Sequence, residues 1–492
     1  MKYKLLYFLT HLSLIVSGQH GYDNSWVLGD VGGVILSFDI SSPEITNVDS
    51  NFSLTSGNAA ISNTVGELQF FTNGCEIKNK EYQVMSNGDS IGFPEIPFCN
   101  TNFNPLANSI VILPSFSYDS IYYVLHIGFS RNELDTSNLV LTKVDISGDN
   151  ELGEVISKKE LIFTDYLSRY GIEITYHKNG KDWWVLIPQF GSNCYHTLLF
   201  DEGDFQYDTL QCLGQEWGSD DVQNQHDFSP DGKKYARFSY ARGLNIYDFD
   251  NSTGLFSNHV NIDFGFTDTV YHTGVIFSPN SRFVYASAYD NVFQYDLDAN
   301  DVAQSRVKVA TLVTPDFLMF PTRFKRGALA PNGKIYIGGR TQYNYLHVIH
   351  NPDCKGLLCN LEQYALKLNE FPHFCSQGVP NIPHFKNRPQ DINCDTVNIV
   401  NSISPMFDKE NIFIYPNPVD EYLTVELAGI ISDLSNVKIV SVLGQELSSI
   451  DLGSIIGNKI QIPMNSLESG MYYLLLFDKQ GNIGARKKVI KL

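Results

Sequence analysis

The chain has 492 residues, 43% of them apolar and 13% aromatic, and a formal charge of −19. That charge repels phosphate backbones and anionic membrane surfaces, so nucleic acid is excluded from the expected partners. With 37 glycines, 20 prolines, 27 tyrosines and 32 phenylalanines, the composition suits short strands and tight turns. No long stretch carries a capped 3.6-residue apolar period, and the expected class is all-β.

The first element is a targeting segment. Lys2 and Lys4 precede a mostly apolar run over Leu5–Val16, and Val16, Ser17 and Gly18 offer small residues to a signal peptidase. A signal peptide over 1–18 with cleavage before Gln19 is therefore expected. No later run reaches the about eighteen apolar residues of a membrane-spanning helix. In an exported chain, the eight cysteines Cys75, Cys99, Cys194, Cys212, Cys354, Cys359, Cys375 and Cys394 are disulfide candidates. Pairing in chain order closes the shortest loops and is the pairing expected, although sequence alone leaves the connectivity open. Metal binding by these thiols fails on spacing, since no C-x-x-C occurs.

A recurring turn organises the next 360 or so residues. It reads HDFSPDGKKYARFS (226–239), VIFSPNSRFVYASA (275–288) and ALAPNGKIYIGGR (328–340), with steps of 49 and 52 residues between Phe228, Phe277 and Leu329. Weaker copies are ITYHKNGKDWWVLI (174–187), IVILPSFSYDSIYYVLHI (110–127) and ISNTVGELQFFTNG (61–74). In each copy an apolar strand enters, a Pro or polar turn follows and an alternating strand leaves, and in the copies at 174–187, 226–239 and 328–340 an Asn/Asp-Gly pair supplies the positive φ. Sheets of about four strands repeating every roughly 40–55 residues are the pattern of a β-propeller. Six blades centre near residues 70, 115, 180, 235, 285 and 335, and a seventh is expected from 25–40 joined to 378–385. Seven blades over 19–385 are expected, with six as the alternative.

The stretches ISNTVGELQFFTNG, NSIVILP, HDFSPDGKK, FSPNSRFVY, LAPNGKIYIGG and GVPNIPHF together resemble a family of secreted WD-repeat-like propellers from bacteria with a type IX secretion system. The resemblance spans roughly 25–386 and implies fold and lineage, with no reaction attached. Asn280-Ser281 departs from the Asp-Gly pattern and is expected to weaken one turn without abolishing it.

Residues 386–411 show little periodicity and read as a linker fastened by Cys394. Residues 412–492 alternate cleanly again, with Leu423, Val425 and Leu427 on one face and Val437 and Ile439 on another. A small antiparallel β-sandwich of six or seven strands is expected. Tyr415-Pro416-Asn417-Pro418, Val442-Leu443-Gly444-Gln445, Leu467–Tyr473 and the closing Lys487–Leu492 resemble the type A carboxy-terminal sorting domain of the type IX system. That resemblance implies the type IX translocon as partner, with Tyr415, Pro416, Asn417, Pro418, Gly444, Gly470, Tyr472, Lys487 and Lys488 as the sorting-signal candidates. The last strand is the expected contact, as an exposed apolar edge with basic residues.

Chemistry is thinly signalled. No metalloprotease, nucleophile-elbow, Walker or dinucleotide motif occurs, and no catalytic residue, metal or cofactor is assigned. His226-Asp227 and His272 fall at different offsets from their turns and read as structural. Glu216, Asp220 and Asp221 beside Trp217 offer carboxylates near an aromatic surface, and one ring of Trp183-Trp184 is expected outside, where it offers a sugar-stacking face. Asp296, Asp298, Asn300 and Asp301 hint at a structural calcium loop but lack its glycine and closing glutamate. The expected function is a secreted or cell-surface, non-catalytic module that binds a protein or glycan. The alternative is a secreted hydrolase with a carboxylate or metal site at the channel mouth.

Overall fold

The computed structural model describes residues 21–29, 33–38, 42–48, 54, 57–92, 109–128, 136–168, 171–218, 225–265, 273–313, 323–339, 345–368, 379–385, 394, 412–427, 434–441, 446–451, 459–478 and 483–492. The chain divides into two compact units, Met1–Val397 and Asn398–Leu492. The expected signal peptide, His272, Asp220, Asp221, Cys99, Cys375, Gly444 and all of the expected linker except Cys394 lie outside the described residues.

Among the described residues the first unit shows seven antiparallel sheets, each a meander in chain order. Their first strands are Ser25–Leu28, Ala59–Ser62, Ile110–Pro114, Glu173–Tyr176, Gln225–Phe228, Thr273–Phe277 and Phe324–Leu329, and the sheets are called blades 1 to 7 in that order. Among the described residues, blades 1 and 2 have three strands and blades 3 to 7 have four. The repeated turn joins the first two strands of a blade. In blade 5, Gly232 N–H donates to Ser229 O, Lys234 N–H to Ser229 Oγ, and Lys233 N–H to Asp231 Oδ1. Blade 6 repeats every bond with Ser278, Asn280 and Ser281, and Ser281 holds φ 62° where Gly232 holds 67°. The Asn-Ser variant therefore keeps the turn, at the strain of a left-handed serine.

Why the middle strands are apolar on both sides follows from the ring. Adjacent residues of a strand face opposite ways, and in a blade both faces meet a neighbour. Trp183 thus joins the core shared by blades 2, 3 and 4, whereas Trp184 joins the core between blades 4 and 5. Tyr235 and Ala236, Val284 and Tyr285, and Ile335 and Tyr336 split in the same way. The ring closes where Trp26, Leu36 and Phe38 of blade 1 and its flank meet Tyr336, Leu346 and Val348 of blade 7. Trp26, Phe38 and Tyr336 pack edge to face, with centroids 4.7, 5.4 and 5.8 Å apart.

This closure differs from the one expected. Blade 1 takes its strands from Ser25–Leu28, Val34–Ser37 and Glu44–Asn47 alone, and residues 379–385 form no strand. Pro380 and Pro383 explain why, because proline lacks the N–H that a ladder needs.

Cysteine pairing follows the expectation in one hairpin and departs from it in another place. Cys194 and Cys212 face each other across blade 4 and are bonded, and Cys75 is also disulfide-bonded. Cys354, however, pairs with Cys394, Cα atoms 5.5 Å apart, and not with Cys359. Cys359 is a free thiol in the apolar core between blades 6 and 7, where burial pushes it up to about 12.

The second unit is a two-sheet sandwich. One sheet runs Ile412–Tyr415, Tyr422–Leu427, Lys459–Pro463 and the other Glu446–Asp451, Leu434–Ser441, Gly470–Asp478, Ile483–Lys491. Leu423, Val425 and Leu427 from one sheet and Val437, Ile439, Leu474, Leu476 and Val489 from the other form its core.

Replacing Trp26 by Ala removes the largest side chain of the closing interface and is expected to cost about 3–5 kcal/mol. Denaturant unfolding with amide exchange checks this: blades 1 and 7 should lose protection before blade 4, and uniform loss would count against an interface-specific role.

Candidate functional site

The first strand of every blade is an edge strand whose backbone groups face the axis, and buried edges need partners. Side chains supply them. The Gln225 carboxamide donates from Nε2 to Gly327 O at 2.7 Å and accepts at Oε1 from Val275 and Gly327 N–H, both at 3.2 Å. One residue so ties blades 5, 6 and 7. Asp227 Oδ2 accepts from Phe277 N–H at 2.9 Å.

Residues 379–385 complete the filling. Asn381 Nδ2 donates to Ile172 O at 2.9 Å and Ile110 O at 3.3 Å, bridging blades 3 and 4. His384 Nε2 lies 3.1 Å from Asp227 Oδ1 on blade 5. Phe385 packs against Trp183 and Tyr22, and Val379 joins the closing core of blades 7 and 1. The chain after blade 7 therefore reaches four of the other blades and plugs the channel. A cavity of about 30 Å³ remains beside it, lined by Glu173, Gln225, His226, Asp227, Arg326 and His384 among others, room for about two water molecules.

Carboxylate, imidazole and guanidinium converge here, and the Asp227–His384 pair bolts the plug to blade 5. His226 is buried and its Nδ1 shares a hydrogen bond with Tyr235 OH at 3.0 Å. Burial, helped by Arg237 and Arg326, holds it well below its ordinary value. His126 and His347 are buried too, brought by that burial to about 4 and about 3. Among the described residues no group of three or more His, Cys, Asp or Glu is placed to hold a metal.

The other candidates resolve as structure. Trp183 and Trp184 are both buried, for the reason the blade geometry gives, so neither ring is outside. Trp217 is fully buried with the Arg237 guanidinium 3.7 Å over its ring, which removes it as a stacking surface. In the loop read for calcium, Asp296 already binds Arg282 Nε and Nη2 at 2.9 Å and Lys355 Nζ at 3.0 Å. The Arg282 hydrogen bonds bring its carboxyl down to about 2, and two cations occupy what a calcium ion would need.

In the second unit, two motifs more than seventy residues apart in the chain meet. Tyr415-Pro416 and Asn417-Pro418 are both cis, and the Asn417 carboxamide reads the last strand's backbone twice. Its Nδ2 donates to Lys488 O and its Oδ1 accepts from Ile490 N–H, each at 2.8 Å. Val419 N–H donates to Ile490 O and Leu492 N–H to Val419 O, at 2.8 and 2.9 Å. Lys491, 8% exposed, pairs with Asp420 at 3.1 Å. The Pro-Asn-Pro corner thus covers the edge of residues 488–492, where an exposed edge was expected. Tyr415 OH donates to Glu426 Oε2 at 2.7 Å, and Lys459 Nζ donates to the Tyr415 hydroxyl at 3.1 Å and lies 3.2 Å from Glu426 Oε2. Tyr472 OH donates to Glu468 O at 2.8 Å, Gly470 opens its strand, Lys487 is half-buried and Lys488 exposed.

Residues 413–491 match the family described as the secretion system C-terminal sorting domain. This segment is a type IX sorting domain. The sorting domain places the protein among those exported to the outside of the cell, and no helix among the described residues is long and apolar enough to cross a membrane. No curated protein sequence matches the chain. Among solved structures, a Bacteroides fragilis protein provisionally called a 6-phosphogluconolactonase is 13% identical, covering 70% of this chain and 96% of its own, at a TM-score of 0.36. The Swd1 β-propeller domain of Myceliophthora thermophila is 10% identical over 64% of this chain and 90% of its own, at 0.33. PorZ, a surface component of the type IX system of Porphyromonas gingivalis, is 10% identical over 95% of this chain and 74% of its own, at 0.26. Scores this low carry nothing about activity, and the fold rests on the order and packing of the seven sheets.

Two measurements bear on these sites. Unfolded histidines take up a proton near pH 6.5 or so, but buried His126, His226 and His347 do not. Stability is therefore full above that pH and falls below it, by about 1.4 kcal/mol per unit for each group. A melting temperature unchanged between pH 7.5 and 5 would contradict this. In the sorting domain, Asn417→Ala removes two hydrogen bonds and is expected to cost about 1–2 kcal/mol, with faster amide exchange at Ile490. Exchange unaltered there would mean that the corner does not hold the strand.

Proposed function

We propose that the protein is a cell-surface propeller that binds a protein or glycan and performs no chemistry of its own. A signal peptide over 1–18 takes it across the inner membrane. The type IX translocon then recognises a type A sorting domain through Tyr415, Pro416, Asn417, Pro418, Gly444, Gly470, Tyr472, Lys487 and Lys488. The domain is removed afterwards, and the propeller is released or attached to the surface.

The observation that supports a binding role over hydrolysis is the filled axis. Asp227 meets His384 of the plug and the Phe277 amide, and His226 meets Tyr235 OH, so the groups a hydrolase would draw on already have structural partners. Ligand contact then falls to the outer rims and loops of the blades, where propellers and other scaffolds carry function on variable loops.

Deletion of 412–492 tests the export half. In fractionated cells, the truncated protein should accumulate in the periplasm while the full chain reaches the surface or the medium. Equal appearance of both outside would refute the assignment of this domain as the signal.

A further inference from the structure

The strand Gly470–Asp478 is central in its sheet, flanked by Leu434–Ser441 on one side and Ile483–Lys491 on the other. Its inward residues Leu474 and Leu476 fill the sandwich core. In a sheet with one wet face, the alternate positions should be polar. Here they are Met471, Tyr473, Leu475 and Phe477, four large apolar side chains in a row. Met471 is 40% exposed and the other three are half-buried. Ile490, 39% exposed, stands opposite Met471 on the last strand, and half-buried Val440 stands opposite Tyr473 on the other neighbour. The row is flanked by cations: Lys488 is opposite Tyr473, and Lys438 Nζ is 5.1 Å from the Phe477 ring.

The outer face of the three-stranded sheet is different in kind. Its exposed Phe413, Tyr415 and Tyr422 are interspersed with Thr424, Glu426, Lys459 and Gln461, and Tyr415, Glu426 and Lys459 bond one another.

We propose that the outer row Met471, Tyr473, Leu475, Phe477 and Ile490, with Lys438 and Lys488 beside it, is the surface through which the export machinery holds this domain. This rests on the export reading above and specifies its contact. The edge of the last strand at 488–492 is already occupied by the Pro-Asn-Pro corner, so strand addition is blocked at that stretch, and what it presents beside the row is side chains. The occupant is a protein groove with apolar walls and carboxylates on its rim. The exposed Lys488 beside the row calls for opposite charge and disfavours a second copy of the same face. A bilayer fits less well, because Tyr473, Leu475 and Phe477 lie low in the sheet and offer little to insert.

The test uses the full chain in producing cells. Met471→Gln with Ile490→Gln, and separately Lys488→Glu, should raise the periplasmic share about tenfold, the effect of losing one central contact. Phe413→Gln with Tyr422→Gln, on the opposite face, should export as the parent does. Melting temperatures equal to the parent's separate lost recognition from lost folding, and Lys488→Glu changes charge without touching the core. Normal export of both outer-row variants, while deletion of 412–492 still blocks export, would overturn the assigned face and leave the sorting assignment intact. Equal retention of the opposite-face control would also overturn it. Sedimentation of the purified chain with phosphatidylglycerol vesicles, abolished by Lys488→Glu, would replace the protein groove by a lipid surface.

Discussion

Everything in the first unit depends on one contact between sheets that are far apart in the chain. Six blade interfaces join sheets that are neighbours in sequence, so each is closed by a short stretch of chain. The seventh joins Trp26 and Phe38 to Tyr336, across some three hundred residues. Without it, blades 1 and 7 each present an apolar face to water, and a strip of sheets has no reason to curve into a ring. An aromatic residue buries on the order of 150–250 Å², which at about 25 cal/mol per Å² gives roughly 4–6 kcal/mol per ring as an upper bound. Three rings in mutual edge-to-face contact are thus a substantial driving force for a single long-range closure.

Closure creates a second demand, since it gathers seven edge strands around one line and buries their backbone groups. The residue types that answer it are those from which catalytic sites are built: Gln225, Asp227, His384, Asn381. Their geometry decides which use prevails. Each is bonded to a backbone amide, a carbonyl or the other side of the plug, so the polar groups at the axis hold blades together. The same chemistry in an open channel would invite a substrate.

The local half of this architecture was legible in the sequence. The turn built on Ser229, Asp231 and Gly232 uses a hydroxyl, a carboxylate and a left-handed glycine at fixed offsets, so its copies can be recognised in the residues themselves. The alternation that marked the sorting domain is local in the same sense. What escaped was set by distance. The meeting of Trp26 with Tyr336, of Cys354 with Cys394, and of Asn417 with Lys488 leaves no periodic trace. In 378–385 the sequence does carry the signal, two prolines where a strand ladder would need amide donors. For Trp183-Trp184, alternation in an isolated sheet implies one dry face and one wet one, whereas a blade inside a ring has two dry faces.

The position of the plug in the chain has a consequence for how faulty copies are handled. Residues 379–385 follow every blade, and the sorting domain follows the plug. A chain that stops short anywhere in the ring therefore lacks both the piece that fills the axis and the label that opens the way out. Serial order alone makes the address conditional on a finished product. No separate inspection is needed to keep incomplete rings from being dispatched.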